Sequence, residues 1–263
     1  GKRITLASVL KSKSYLEIGN VIAYLPGNDQ QLREEAVIIG AHYDHLGKRN
    51  GEIYYGADDD ASGTAALIEI AEAFSMVETP PARSIIFAAF GGEEKGTLGS
   101  TYYTDNPPFS IEKTAAMLQM DMVGRNGAES YREMSDPSLT VRNRNKIFLF
   151  GSAQAKDLES ISDSANAEVG LEMVYEPNVS FSAGSDHVAF HKKGIPVIFY
   201  FSGFHTDYHK PTDTADKINY EKLERVARLV FITAWKIASR EEKLSFDRNV
   251  TSVPKAKKRV HMY

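Results

Sequence analysis

The sequence predicts a single α/β domain, with a mostly parallel, mixed central sheet flanked by helices on both faces. Three observations predict it. Short runs such as Ala36–His42, Ser84–Phe90 and residues 195–201 are apolar at nearly every position, as expected of strands buried on both faces. Between them lie longer stretches of helical period, one with Ala65, Ala66, Leu67, Ile70, Ala73 and Phe74, another with Leu223, Val226, Leu229, Val230, Ile232 and Ile237. Strands alternating with helices imply a largely parallel sheet. Finally, residues 15–240 contain no repeat, linker or low-complexity segment, and 263 residues suffice for one large core.

The elements are expected in the following order. Residues 1–16 are ambiguous, read as a short helix before a strand at 18–25, and Pro26-Gly27-Asn28-Asp29 is a turn. Strand Ala36–His42 is followed by helix Ala61–Met76, which Pro80-Pro81 ends. Strands Ser84–Phe90, Thr114–Met120 and Lys146–Phe150 come next, then a polar helix near 153–167 and a short strand at 171–175. The last strong strand is 195–201 and the last long helix 220–238. A single folded domain is therefore expected over 1–240. Residues 241–263, with Lys255, Lys257, Lys258 and Arg259, read as a charged, solvated tail.

Composition narrows the function classes. A formal net charge of −4 gives no electrostatic footing for nucleic acid or an anionic membrane. No run of apolar residues is long enough to span a bilayer. With no cysteine, disulfides and thiolate metal sites are excluded, whichever compartment the protein occupies. The chain opens Gly-Lys-Arg-Ile-Thr, without a signal segment, which is expected of a processed chain.

The polar residues gather at one kind of place. His42 and Asp44 follow one predicted strand, Glu93 and Glu94 another, and Asp121 a third, while residues 203–213, with His205 and His209, follow a fourth. In an open α/β sheet, ligands bind outside the carboxyl ends of the strands, so these residues can converge. Asp58-Asp59-Asp60, ahead of helix Ala61–Met76, belongs to the same rim. The plain reading of that triplet is a helix cap through Asp59 or Asp60. Three adjacent carboxylates repel, however, and a cation among them relieves the repulsion. The calcium-loop spacing of Asp58, Asp60, Ser62, Gly63 and Glu69 is read as chance, because a helical stripe already runs through it.

A rim of imidazoles and carboxylates without thiolate suits zinc, or less selectively manganese or cobalt. So many anions suit two ions bridged by a carboxylate better than one. Asp44 stands two residues after His42, on the same side of an extended strand, where it can orient the imidazole. Of the adjacent Glu93 and Glu94, one can ligate while the other takes a proton from water. His205/His209 and His187/His191 each have the spacing of a helical metal clamp, though buried or surface histidines are commoner. Ser185-Asp186-His187 is no triad, since neighbouring residues cannot take up relay geometry.

Taken together, Gly40-Ala41-His42-Tyr43-Asp44, the Gly56–Gly63 stretch, Phe90-Gly91-Gly92-Glu93-Glu94-Lys95-Gly96, Met120-Asp121-Met122-Val123-Gly124, Ser185-Asp186-His187 and Tyr208-His209-Lys210-Pro211-Thr212-Asp213-Thr214 resemble the motifs of the co-catalytic di-zinc aminopeptidases. That family includes bacterial leucyl aminopeptidases and, more distantly, glutamate carboxypeptidase, glutaminyl cyclase and the transferrin receptor ectodomain, and the resemblance covers about residues 15–240. It implies a zinc exopeptidase fold of the phosphorylase/hydrolase-like kind, two Zn²⁺ ions, and peptides as substrates. By this resemblance Asp59 bridges both ions, His42 and Asp121 complete one position, and Glu94 and His209 the other. Glu93 is then the general base, Tyr208 steadies the reacting carbonyl, and Asp44 and Asp186 support the ligands. Every ligand position is filled, so a metal-free receptor-like relative is not expected. A secreted or periplasmic parent, with further domains, is implied by the resemblance alone.

The activity implied is removal of an N-terminal, apolar residue. Carboxypeptidase, dipeptidase or glutaminyl cyclase action on the same scaffold, or a binding domain without turnover, are the alternatives. A carboxypeptidase needs a cation for the substrate carboxylate, for which Arg125, Arg142 and Arg144 are candidates. Pocket-lining residues are expected in loops 130–145 and 177–184.

Overall fold

The computed structural model of the chain describes residues 4–11, 17–176 and 184–247. Strands β1 (Ile4–Lys11), β2 (Glu17–Leu25), β3 (Ala36–His42), β4 (Gly47–Arg49), β5 (Glu52–Tyr54), β6 (Ser84–Phe90), β7 (Thr114–Met120), β8 (Lys146–Phe150), β9 (Glu172–Glu176) and β10 (Val197–Phe201) alternate with helices. The helices are α1 (Ala61–Met76), α2 (Leu98–Asp105), α3 (Leu139–Arg142), α4 (Lys156–Asn166), α5 (His187–Lys192) and α6 (Tyr220–Ser239). An eight-stranded sheet runs in the order β1-β2-β6-β3-β7-β10-β8-β9, and β4 and β5 form a separate hairpin. The four central strands β6, β3, β7 and β10 are mutually parallel, while β1, β2 and β8 join antiparallel. The mixed, mostly parallel sheet is the one the alternating pattern predicts.

Period-2 alternation divides each central strand between two cores. Val37, Ile39 and Ala41 of β3 pack with Ala66, Leu67, Ile70 and Phe74 of α1 and with Val226, Leu229, Val230 and Ile237 of α6. Ala36 and Ile38 face the other side, with Tyr103 of α2 and Phe190 of α5. Helices thus cover both faces, which is why these strands contain no polar alternation. A smaller cluster joins Phe148 of β8 and Phe199 and Phe201 of β10 to Met122, backed by Phe204 and Tyr208.

Three expectations are corrected. The segment read as a helix within 1–16 contains strand β1, paired antiparallel with β2, and residues 12–16 lie outside the described residues. The strand read at 195–201 begins two residues later, at Val197, because Pro196 lacks the N–H a ladder needs. Residues 241–247 are mostly exposed, yet they are tied to the domain: Leu244 and Phe246 pack on the α1/α6 core, and Asp247 N–H donates to Gln154 O at 2.8 Å. The anchor is Arg83, fully buried, whose guanidinium pairs with Glu35 at 2.8 Å and donates to the main-chain oxygens of Arg240 and Glu241. Residues 248–263 lie outside the described residues, as do 177–183 of the expected pocket loop. Among the described residues no helix is long and apolar enough to cross a membrane.

Candidate active site

The carboxyl ends of the four parallel strands carry the polar residues to a common rim. His42 is the last residue of β3, Asp121 follows β7, and Glu93 and Glu94 occupy a 3-10 turn after β6. His209 lies in the loop after β10, and Asp59 stands just ahead of α1. These residues are spread from position 42 to position 209, and the parallel register of the sheet is what joins them.

The three consecutive aspartates divide their work. Asp60 is the N-cap of α1, accepting from Gly63 N–H at 3.0 Å, and it also accepts from the N–H groups of His42 and Met122 at 3.1 Å each. A Cβ on Gly63 would come within 2.5–2.6 Å of both Asp60 oxygens, so a glycine is needed for this close approach. Asp58 turns away, accepting from Gly124 N–H at 2.7 Å and lying 3.2 Å from His205 Nε2. Asp59 alone points into the rim. Its Oδ1 is 3.3 Å from His42 Nε2, and its Oδ2 is 3.1 Å from His209 Nε2. The capping reading of the triplet therefore holds for Asp60, and the aspartate facing the histidines is its neighbour.

Around Asp59 two ligand sets form. In the first, His42 Nε2 also lies 3.5 Å from Asp121 Oδ2, and His42, Asp59 and Asp121 each offer an atom within 4.8 Å of the others. In the second, His209 Nε2 lies 3.4 Å from Glu94 Oε1. His42 Nε2 and Glu94 Oε1 are buried without a hydrogen-bond partner. Two ligands bonded at 2.0–2.1 Å to one tetrahedral zinc stand about 3.3 Å apart, and the four separations of 3.1–3.5 Å match that spacing. Orphaned nitrogen and oxygen lone pairs converging at such distances fit divalent-cation binding.

The electrostatics agree with the geometry. His42 is raised well above its ordinary value: burial opposes its charge, and the Asp121 carboxylate, with Asp59, outweighs burial. Against burial, which raises it, the His209 and His45 imidazoles pull Glu94 down to about 2. Glu93 behaves oppositely. Burial, and then the Asp121 charge, push it up to about 9, and the His42 charge offsets them only in part.

The residues expected to support the site have the following surroundings. His42 Nδ1 faces the main-chain oxygen of Asp44 at 3.0 Å, with the carboxylate 3.8 Å away. That carboxylate accepts from the N–H groups of Glu93 at 3.0 Å and Glu94 at 3.4 Å, so Asp44 ties the β3 loop to the Glu93-Glu94 turn. Asp186 is fully buried at the start of α5, where Gln119 Nε2 donates to it at 3.4 Å and burial raises it to about 7. Tyr208 stacks on the His209 ring at 3.9 Å, and burial followed by the Asp59 charge raises its phenol, which stays protonated.

Neither histidine pair forms a clamp. His205 faces Asp58 while His209 faces Asp59, since their segment is a turn and not a helix. His187 is buried and stacks on Phe199 at 4.6 Å, and His191 contacts Gln154 and Phe246. Two features escaped the sequence reading. Asp213 accepts from the N–H groups of Asp58 and Asp59 at 3.0 and 3.2 Å, fixing the loop that presents Asp59. His45, three residues after His42, lies beside Glu94. Asp213 stands inside the Tyr208–Thr214 motif and His45 directly after the Gly40–Asp44 motif, the only signal either gave.

Fold and site together define an α/β protein with a carboxylate–histidine centre suited to a metal ion. The chain belongs to peptidase family M28, whose family model matches residues 20–234. It is 27% identical over 216 residues to the aminopeptidase YwaD of Bacillus subtilis, covering 80% of this chain and 42% of that protein. It is also similar to the solved structure of a zinc aminopeptidase from Bacillus subtilis, with a TM-score of 0.65 and 25% identity over 85% of this chain and 51% of that one. A glutaminyl cyclase from Porphyromonas gingivalis shares the fold, with a TM-score of 0.65 at 22% identity, covering 88% of this chain and 82% of that one. The chain thus spans about half the length of the aminopeptidases it matches.

Proposed function

We propose that this chain is the catalytic domain of a zinc-dependent aminopeptidase, removing an N-terminal residue from peptides. The observation that carries the reading is the division of the Asp59 carboxylate, one oxygen toward His42 and the other toward His209. In this reading two Zn²⁺ ions would be held by Asp59 together with His42 and Asp121 on one side and Glu94 and His209 on the other. When bound, the ions would acidify a water and polarise the scissile carbonyl.

The chain's own residues supply the rest. Glu93, whose proton affinity burial and then the Asp121 charge raise in the metal-free chain, would be ionised by the charge of nearby cations, accept the proton of the attacking water and deliver it to the leaving amine. Tyr208 keeps its proton and donates to the carbonyl oxygen as negative charge develops there. Phe201, Phe204 and Tyr131 extend an aromatic wall from Tyr208, which favours an apolar side chain on the residue removed. The peptide is positioned by the same rim that carries the base.

Exopeptidase direction follows from the arginines. Arg125 is held by Asp207 at 2.9 Å and Asp213 at 3.6 Å, Arg142 by Asp136 and Arg144 by Glu221 at 2.8 Å each. Each candidate for a substrate carboxylate is already neutralised, which favours amino- over carboxypeptidase action. The decisive assay is chelator-sensitive release of p-nitroaniline from leucyl, N-acetyl-leucyl and acidic aminoacyl anilides. Turnover of the free-amine leucyl substrate alone is expected. Equal turnover of the blocked substrate would refute the direction, and a single tightly bound zinc with cyclisation of glutaminyl peptides would move the reading to a cyclase. An extracytoplasmic parent protein belongs to the same reading and is tested by fractionating the native host.

A further inference from the structure

His45 occupies a place that no element of the two-ion reading uses. Its Nδ1 lies 2.8 Å from Glu94 Oε1 and 3.9 Å from Asp59 Oδ2, and the three residues each offer an atom within 4.8 Å of the others. These separations bracket the about 3.3 Å that two ligands of one tetrahedral zinc keep. The side chain is only 9% exposed, and both ring nitrogens are buried without a hydrogen-bond partner. Nδ1 has the Glu94 carboxylate beside it, while Nε2 has no partner at all. An imidazole buried at that cost, aimed at two carboxylates, is short of a cation.

The ring is also held. Gly56 adopts a left-handed conformation, φ +62°, and a Cβ there would stand 2.5 Å from His45 Cγ and 2.8 Å from Cδ2. The backbone ahead of Asp59 therefore lies against one face of the imidazole. From another side the His209 ring meets it edge-on, with centroids 5.8 Å apart at 65°. Two histidines thus approach the same pair of carboxylate oxygens, Glu94 Oε1 and Asp59 Oδ2, from different directions.

We infer that His45 is a further ligand of the second metal position, binding through Nδ1 beside Glu94, Asp59 and His209. The inference rests on the two-ion reading above and adds a ligand to it. A set of two imidazoles and two carboxylates selects zinc over magnesium, calcium or manganese more strongly than one imidazole does. It also gives the exposed His209 a buried companion. His42 and His45 flank Asp44, so one short loop would serve both ions.

The test is a zinc titration of the full chain against a chromophoric chelator, with cobalt(II) absorption recorded at each equivalent. Wild type is expected to take two equivalents. His45→Ala and His45→Gln should keep the first at unchanged affinity and weaken the second by at least about 10-fold, a loss that even outer partners of a metal can cause. The visible cobalt bands of the second equivalent should shift and weaken. If His45 served only as a hydrogen-bonding neighbour of Glu94, glutamine would restore affinity, and the inference would fail. Wild type taking two equivalents, with both variants indistinguishable from it, would overturn the inference while leaving the two-ion reading intact. A wild type that binds fewer than two would overturn both. If neither variant folds, the wild-type chain decides: with ¹¹³Cd and ¹⁵N-histidine, a cadmium coupling to Nδ1 of His45 is expected, and its absence refutes the ligand.

Discussion

The two candidate metal positions are built from different materials. The first rests on the sheet. His42, 1% exposed, ends β3, its N–H donates to Asp60, its carbonyl accepts from Thr64 at 2.7 Å, and its Nδ1 faces Asp44 O. Asp121, 13% exposed, follows β7, the strand paired directly with β3. The second rests on loops. Glu94 sits in a turn between left-handed Gly92 and Gly96, and His209, 38% exposed, is itself in a left-handed conformation at φ +55°. A side chain pinned at a strand end has little freedom left to lose on binding, whereas one in an exposed turn keeps more. The buried position should hold its ion more tightly, and the exposed one should exchange.

The largest expected effect bears on the residue the two positions share. Asp59→Asn should abolish turnover and cost both ions, while Asp58→Asn should retain both, as read by metal analysis after gel filtration. If Asp58→Asn instead stripped the metals, the division among the three aspartates would be misassigned. Next comes Glu93→Gln, which should retain both metals yet lose roughly 10²–10⁴-fold in kcat. Normal turnover by that variant would hand the base's role elsewhere.

Smaller effects separate the positions themselves. Asp44→Asn touches both, through His42 and through the Glu93-Glu94 turn, and is expected to lower metal affinity or activity about 10- to 100-fold. During dialysis against a mild chelator the His209 position should empty first. His209→Ala should then leave one slowly released ion, and His42→Ala should not; the opposite order would invert the comparison. The smallest effect is the pH dependence of uptake. In the metal-free protein the Asp59 and Glu94 carboxylates raise His209 from 6.5 to about 10. A raised pKa stabilises the fold fully below about pH 6.5, and the contribution is lost as pH rises through 10. At pH 7 zinc must therefore displace a proton from His209, so affinity for the second equivalent should climb with pH up to about 10. Calorimetry in buffers of different ionisation enthalpy should detect that proton.

Much of this centre was legible in one dimension because strand ends are written plainly. An apolar run that stops at His42, Glu93 or Asp121 marks both a strand and the place where its carboxyl end opens. The first strand was misread as helix because residues 1–16 contain neither a clean period nor a turn signal, and only its antiparallel partner β2 defines it. The histidines were harder. His205, His187 and His191 have the same local credentials as His209, yet they face Asp58, Phe199 and Gln154, since their directions depend on elements distant in the chain. His45 was passed over because it belongs to no helical or strand period, and its neighbour Glu94 is brought to it only by β3 pairing with β6.

The sequence by itself determined the order of strands and helices, the covering of the sheet on both faces, and the set of polar residues carried to one rim. These follow from local periodicity and from where apolar runs end, which each segment displays alone. Only the tertiary structure decided which carboxylate oxygens meet which imidazoles, that Asp60 caps while Asp59 faces two histidines, and that Arg83 binds residues 240 and 241 to the core. Those choices depend on distances between segments remote in the chain, which exist only once the parallel strands stand in register.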